Sequence, residues 1–284
     1  MHHALLFTNL RFFLPSVNVS HPLRSHYNHS AMPKRYRTLK DVNLKGRRVM
    51  LRAGFDVPIE KGRVIDTERI EAMLPTIKHI LKSGASLVII AHQGRPKGKV
   101  MKEFSQKPIV AVLEKLLKKK VAFASSCTGP DAEKKAAALK IGEILLCENL
   151  RFDKGEEGND PAFAKKLAKL GHVYVNDAFT NAHRKHASMV ALAKLLPSCM
   201  GLQMEQEVTH LSNVLGDPRR PVTLIVSGAK METKIPVIEH FLSKGDDILL
   251  GGAIANTFIA ARGFDVARSK YEEEFVDKAQ ELML

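Results

Sequence analysis

The run Ser86–Ala91 reads Ser-Leu-Val-Ile-Ile-Ala, without a single charge. It is apolar enough to be buried on both faces, as the central strands of a parallel sheet are. Arg48–Phe55, Glu143–Cys147 and His172–Val175 are similar runs, and Val121–Ala124 is a shorter one. Helical periodicity fills the gaps between them. Asp66 can cap a helix whose apolar positions Ile70, Leu74, Ile77 and Leu81 share one face before Gly84 ends it. Further helices are expected around Lys107–Lys119 and Pro161–Leu170. Such alternation of strand and helix predicts an α/β fold built on a doubly wound parallel sheet with helices on both faces.

The residues just past these strands carry the chemistry. Asp56 follows the first run, His92-Gln93-Gly94-Arg95 the second, Arg151 the third and His183-Arg184 the last, while Arg69 falls in the first turn of the first helix. In an open parallel sheet the carboxyl ends of the strands face one side, and ligands bind there. Separate loops would therefore deliver their cations to one cleft, suited to a small anion carrying phosphate.

After Gly201 the character changes. Gln203–Leu215 reads as a helix, and Gly216-Asp217-Pro218-Arg219-Arg220-Pro221 is a breaker cluster. Strand Val222–Val226 then runs into Ser227-Gly228-Ala229-Lys230 and a helix ending near Ser243, with Pro236 tolerable only near its first turn. Strand Asp247–Leu250 runs into Gly251-Gly252-Ala253 and another helix. Small residues and lysines where a strand gives way to a helix suit phosphate, because backbone N–H groups there point at the anion. The expected organisation is two Rossmann-like domains: residues 32–202, an interdomain helix and hinge at 203–221, and a second, incomplete sheet at 222–284.

Residues 1–31 stand apart, with no Asp or Glu and only two Arg. They fit either a transit peptide or a non-native extension. The lack of a clean amphipathic Arg pattern or cleavage signature favours the extension, outside the fold. Three widely spaced cysteines, Cys127, Cys147 and Cys199, suggest neither a zinc site nor a disulfide framework, which points to a reducing cytoplasm. No apolar stretch in the sequence approaches a membrane span. The net charge of +14 admits nucleic acid as a partner, but 6% aromatics, no Trp and no recognisable module argue against it.

Five motifs, in order, resemble the phosphoglycerate kinase family from about Lys40 to the end. They are Arg52-Ala53-Gly54-Phe55-Asp56-Val57-Pro58, Ala91-His92-Gln93-Gly94-Arg95-Pro96, Glu148-Asn149-Leu150-Arg151-Phe152, Val175-Asn176-Asp177-Ala178-Phe179 leading to Ala182-His183-Arg184, and Gly228-Ala229-Lys230. The resemblance implies a glycolytic phosphotransferase, moving a phosphoryl group between 1,3-bisphosphoglycerate and ADP to give 3-phosphoglycerate and ATP, with Mg²⁺ bound to the nucleotide. It implies that Asp56, Arg69, His92, Gln93, Gly94, Arg95, Arg151 and Arg184 hold the phosphoglycerate. Gly228, Ala229, Lys230, Lys234, Gly252 and Ala253 would face the nucleotide. Arg69 and Lys230 would act on the transferring phosphoryl group, and a soluble monomer is expected. His183 is expected to be structural, and Asp177 to brace its loop or an arginine.

Two departures matter. The family usually carries Asp where this chain has Gly54 and Asn where it has Asp56, so one carboxylate is displaced by two positions. Uncompensated, a carboxylate about 4 Å from a bound phosphate would cost about 4 kcal/mol at an effective dielectric near 20. Asp56 is therefore expected to contact the substrate hydroxyl or to pair with an arginine. By the resemblance, the family's later Gly-rich phosphate loop, adenosine pocket and Gly-Gly-Gly-Asp segment lie beyond residue 284. The chain is thus expected to be truncated, with exposed apolar faces on an unfinished sheet and little or no kinase activity. A phosphoglycerate-binding remnant is the alternative.

Overall fold

Strand β1 (Arg48–Arg52) lies at the centre of the computed structural model, which describes residues 36–216 and 218–284. The 1–31 segment and Asp217 of the breaker cluster lie outside the described residues. A short antiparallel hairpin, β2 (Ile59–Glu60) and β3 (Arg63–Val64), follows β1. Next come helices α1 (Glu68–Ala72) and α2 (Leu74–Lys82), β4 (Ser86–Ile90), α3 (Lys107–Leu117), β5 (Val121–Ala124), α4 (Pro130–Ala137) and β6 (Ile144–Cys147). Then come α5 (Lys154–Glu157), α6 (Pro161–Ala168), β7 (Val173–Asn176), β8 (Ser198–Met200) and α7 (Leu202–Leu215). Six of these strands form one sheet in the order β5-β6-β4-β1-β7-β8, every pair parallel.

The alternation of side chains along each strand divides the core in two. Val49, Leu51, Leu87, Ile89, Ile144, Leu146, Val173 and Val175 pack on one face with Ile70, Ile77, Ile80, Ile109 and Leu113. Met50, Val88, Ile90, Leu145, Cys147 and Tyr174 pack on the other with Ala132, Ala136, Phe163, Leu167 and Leu170. β4 is buried along its whole length, as its uncharged sequence requires. The sheet is doubly wound, with helices on both faces.

The helix expected after Asp66 is broken in two at Met73. Pro75 has no N–H to give to a helix interior, and it sits at the second position of α2, where none is needed. The buried stripe is accordingly Ile70, Met73, Ile77 and Ile80 rather than one running through Leu74 and Leu81. Asp66 still caps locally, its Oδ1 accepting the Glu68 N–H at 2.8 Å. β1 is three residues shorter than its apolar run, because the chain leaves the ladder once the Ala53 N–H has bonded Ile90 O. Several elements had no sequence expectation, among them the β2–β3 hairpin, α5, the three-residue β8 and α4, whose only buried side chains are alanines.

The start of α7 is pinned by two side chains of the large sheet's layer. Thr76 Oγ1 accepts the Leu202 N–H at 2.9 Å, and Asp177 Oδ1 accepts the Met204 N–H at 2.8 Å. A Cβ at Gly201 would lie 2.3 Å from Asp177 Cγ, so only glycine admits this approach. Asp177 thus braces a helix start rather than an arginine.

A second parallel pair, β9 (Thr223–Gly228) and β10 (Asp247–Gly251), packs with α8 (Ile235–Leu242), α9 (Gly252–Ala261) and α10 (Val276–Met283). Its separate core holds Val226, Met231, Ile238, Ile254, Phe258 and Ala279. The register partners Ile225 and Leu249 are 73% and 46% exposed, so one face of this pair carries uncovered apolar side chains. Residues Arg37–Leu284 group as one unit by mutual contact. No described helix is long and apolar enough to cross a membrane.

Replacing Asp177 by alanine removes the α7 cap and is expected to cost about 1–2 kcal/mol. Urea unfolding should show a lower midpoint at unchanged slope; an unchanged midpoint would mean that the cap is energetically idle.

Candidate functional site

Parallel pairing brings the loops after β1, β4, β6 and β7 to one edge of the sheet. β1 and β7 are neighbours whose outgoing connections leave to opposite faces, the arrangement that opens a crevice at strand ends. Asp56, the 92–95 turn, Arg151 and Arg184 occupy these loops. Asn149 ties two of them together: its Oδ1 accepts the Gln93 and Arg151 N–H groups, and its Nδ2 donates to Gln93 O at 2.8 Å.

The centre of this edge is Arg52, a fully buried arginine at the last position of β1. Its Nε donates to Ser188 Oγ at 3.1 Å, Nη1 to Ala53 O, and Nη2 to His92 Nδ1 at 3.0 Å. Arginine only donates, so His92 Nδ1 is the accepting nitrogen and Nε2 carries the proton. That Nε2 lies 3.5 Å from Asp56 Oδ2. Asp56 Oδ1 accepts the Gly94 N–H at 2.9 Å, and Gly94 O accepts from Arg151 Nη1 at 2.7 Å. The carboxylate of Asp56 is therefore compensated by two N–H donors, while Arg69 Nη1 holds its backbone carbonyl at 2.7 Å.

Protonation follows from these contacts. Burial, aided by the charges of Arg52 and Arg151 and opposed by Asp56, pulls the His92 pKa from 6.5 to about 4. Burial alone would raise that of Asp56, but the His92 and Gly94 N–H groups and Arg69 outweigh it and hold it at about 2. At neutral pH the pair is a neutral imidazole beside a carboxylate. Burial also lowers the Arg151 pKa, with the charge of Arg184 adding to the effect and that of Glu157 opposing it.

The expected substrate residues fall into two groups. His92 and Gln93 are buried and turned towards protein, Gln93 bonding the Val57 N–H through Oε1 and the Val57 carbonyl through Nε2. The Gly94 amide is held by Asp56. Arg69, Arg95 and Arg184 present their guanidinium groups more openly: Arg69 and Arg95 are exposed and Arg184 half-buried. Arg95 has no bonding partner among the described residues, and the Nε atoms of Arg151 and Arg184 are shielded from solvent without a hydrogen bond. His183 is exposed.

On the second sheet, Gly228 and Gly252 sit side by side at the ends of β9 and β10. Gly252 has φ +64°, and a Cβ there would meet Gly228 O at 2.9 Å. Gly252 and Ala253 form the first turn of α9. The Gly228-Ala229-Lys230 stretch does not lead straight into a helix, contrary to expectation. Pro236 must lie in the first turn of α8, which delays that helix to Ile235 and leaves Lys230 exposed on a loop. Lys234 stands at the N-cap position, its Cε 3.6 Å from where a Gly228 Cβ would be.

A sequence profile of phosphoglycerate kinase matches residues 39–284. This chain belongs to the phosphoglycerate kinase family. It is 49% identical over 246 residues to the phosphoglycerate kinase of Moorella thermoacetica and 47% identical over 249 residues to that of Cereibacter sphaeroides, each match covering 87% of this chain. It spans 63% of the length of those two relatives. The phosphoglycerate kinase structure from Coxiella burnetii superposes with a TM-score of 0.78 at 37% identity, over 87% of this chain and 62% of that one. The one from Pyrococcus horikoshii gives 0.76 at 33%, over 87% and 64%.

Sequence reasoning about the family motifs did not single out Arg52, Glu156 or Ser188 as site residues. Arg52 had a signal, a charge closing an apolar strand; Glu156 and Ser188 had none.

Acid should weaken this phosphoglycerate kinase family member through His92. Its folded pKa lies below the unfolded value, so the unfolded chain takes up the proton first, and stability falls as pH drops from 6.5 to about 4. His92→Asn should remove about 3 kcal/mol of that pH-dependent loss. Equal slopes for both proteins in urea titrations across this range would refute the assignment.

Proposed function

We propose that this protein acts as a phosphoglycerate kinase, moving a phosphoryl group between 1,3-bisphosphoglycerate and ADP to give 3-phosphoglycerate and ATP, as a step of glycolysis. The observation that carries the reading is the pair Arg151 and Arg184, like charges close enough to perturb each other, with the Arg184 Nε shielded from solvent and unbonded while Arg151 Nε faces only Glu157, at 3.4 Å. An anion with several oxygens relieves both costs. Residues 32–202 would form the phosphoglycerate side, 203–221 the connecting helix and hinge, and 222–284 the nucleotide side.

In this reading Arg69, Arg95, Arg151 and Arg184 grip the phosphate and carboxylate. His92, Gln93, Gly94 and Asp56 contribute by holding the loops from which those arginines project. Gly228, Ala229, Lys234, Gly252 and Ala253 line the nucleotide phosphates, and Arg69 and Lys230 stabilise charge on the transferring group. Phosphoryl transfer demands positioning and charge stabilisation rather than a base. The engagement of Asp177 as a helix cap agrees with that. Mg²⁺ would be carried by the nucleotide's phosphates, as is usual for such sites. The reading extends to a cytoplasmic monomer that does not use nucleic acid or membrane as a partner.

Calorimetric titration with 3-phosphoglycerate tests the site directly. Arg95→Ala should weaken binding by about 1.5–3 kcal/mol, roughly 10- to 100-fold, without shifting unfolding. No binding by the native chain, or equal binding to arbitrary DNA, would sink the reading. Asp56→Asn should weaken binding severalfold, because one amide oxygen replaces two acceptors; a large gain would show the carboxylate to be a liability.

A further inference from the structure

We propose that Glu156 and Ser188 are positioning residues for the phosphoglycerate side, acting through Arg52 and His92 on the turn that holds Arg151. This rests on the reading that these loops bind 3-phosphoglycerate. Both residues are fully buried, so neither touches a ligand. Glu156 Oε1 accepts the Ser188 Oγ–H at 2.6 Å, and Oε2 accepts the Ser188 N–H at 2.9 Å.

Groups that can only donate or only accept fix the direction of each bond, and Glu156 with Ser188 fixes where the Arg52 guanidinium sits. A carboxylate can only accept, so it takes the one hydroxyl proton of Ser188 and leaves the serine oxygen to accept from Arg52 Nε. Arg52 can only donate, which makes His92 Nδ1 an acceptor and turns its Nε2–H towards Asp56. Asp56, a carboxylate, accepts from that side and from the Gly94 amide, whose carbonyl takes Arg151 Nη1. The circuit closes on α5, because Arg151 Nε lies 3.4 Å from Oε1 of Glu157, the residue next to Glu156.

Ser188 reaches this position from a π-helical turn, Ala187–Ala191, a conformation uncommon in helices and concentrated at functional sites. Glu156 comes from α5, a single turn following Arg151, where Gly155 is required because a Cβ would meet Phe163 Cβ at 2.7 Å. α5 gives no side chain to either hydrophobic cluster of the sheet, and the π-turn gives Ala187; each delivers one member of the circuit. The charged groups around His92 are Arg52, Arg151 and Asp56; burial, helped by the two arginines and opposed by Asp56, keeps its Nδ1 unprotonated.

The test is long-range proton–nitrogen NMR of His92 in the full chain, beside calorimetry with 3-phosphoglycerate. In the native protein His92 should be a single neutral Nε2–H tautomer. Ser188→Ala removes the bond that holds Arg52 Nε, so Nη2 loses its hold on His92 Nδ1; mixed tautomers, a higher titration midpoint for His92 and about tenfold weaker 3-phosphoglycerate binding should result. Glu156→Gln should move all three the same way, and Ser188→Thr, which keeps the hydroxyl, should restore them. A native Nδ1–H tautomer would overturn the proposal without any variant. So would a folded Ser188→Ala protein with native tautomer and affinity. If the native chain binds no 3-phosphoglycerate, the functional reading falls, while the tautomer data still decide the relay.

Discussion

The guanidinium of Arg52 is buried where an unpaired charge would be expensive, and the surrounding architecture answers that cost. Burial depresses its pKa, and Glu156, Tyr174 and Asp56 oppose the depression. A buried ion pair stripped of one partner typically loses several kcal/mol, because the remaining charge is left uncompensated. Here compensation is distributed: Glu156 answers through a serine hydroxyl, and Asp56 through an imidazole. The group that neutralises the arginine on one side therefore also shapes the ligand loop on the other. Tyr174 reinforces the arrangement, donating its hydroxyl to Ser188 O from the strand beside β1.

How much was legible in the sequence depended on whether a residue's role was local. The central strands were readable because a parallel strand buried on both faces is a continuous apolar run, as at Ser86–Ile90. The placement of Asp56, Arg151 and Arg184 at one edge followed from strand order alone. Pro75 was a visible breaker whose effect the apolar period concealed. α4 escaped because Ala132 and Ala136 are too small to mark a face. Ser188 and Glu156 escaped for a different reason: their partners lie at distant positions, and nothing in their own neighbourhoods distinguishes them from surface residues. The departure at Asp56 was legible as a change of charge. Its compensation by the Gly94 amide and His92 required the fold.

The two sheets differ in how completely they enclose themselves. The six-stranded sheet covers both faces, and the buried polar groups around Arg52 are bonded, whereas the Arg184 Nε is left without a hydrogen bond. The β9–β10 pair covers one face and leaves Ile225 and Leu249 largely in water. At its strand ends Gly228 and Gly252 bring two backbones close enough to exclude a side chain at Gly252. Lys230 and Lys234 flank that approach, in contrast to Arg52 and Arg151 of the larger sheet, which are held by hydrogen bonds.

The Arg52–Ser188 bond joins residues 136 positions apart, and the Arg52–His92 bond spans 40. Contacts of such separation carry the largest loop-closure cost and form only after the intervening chain has been organised. The circuit can close only once β1 has its neighbours and the segment from α5 to the π-turn has docked. A partly assembled chain could own every one of the expected cations and still not hold them in register. Competence at this edge is therefore a property of the finished domain, gained in its last steps of assembly and lost at the first local opening.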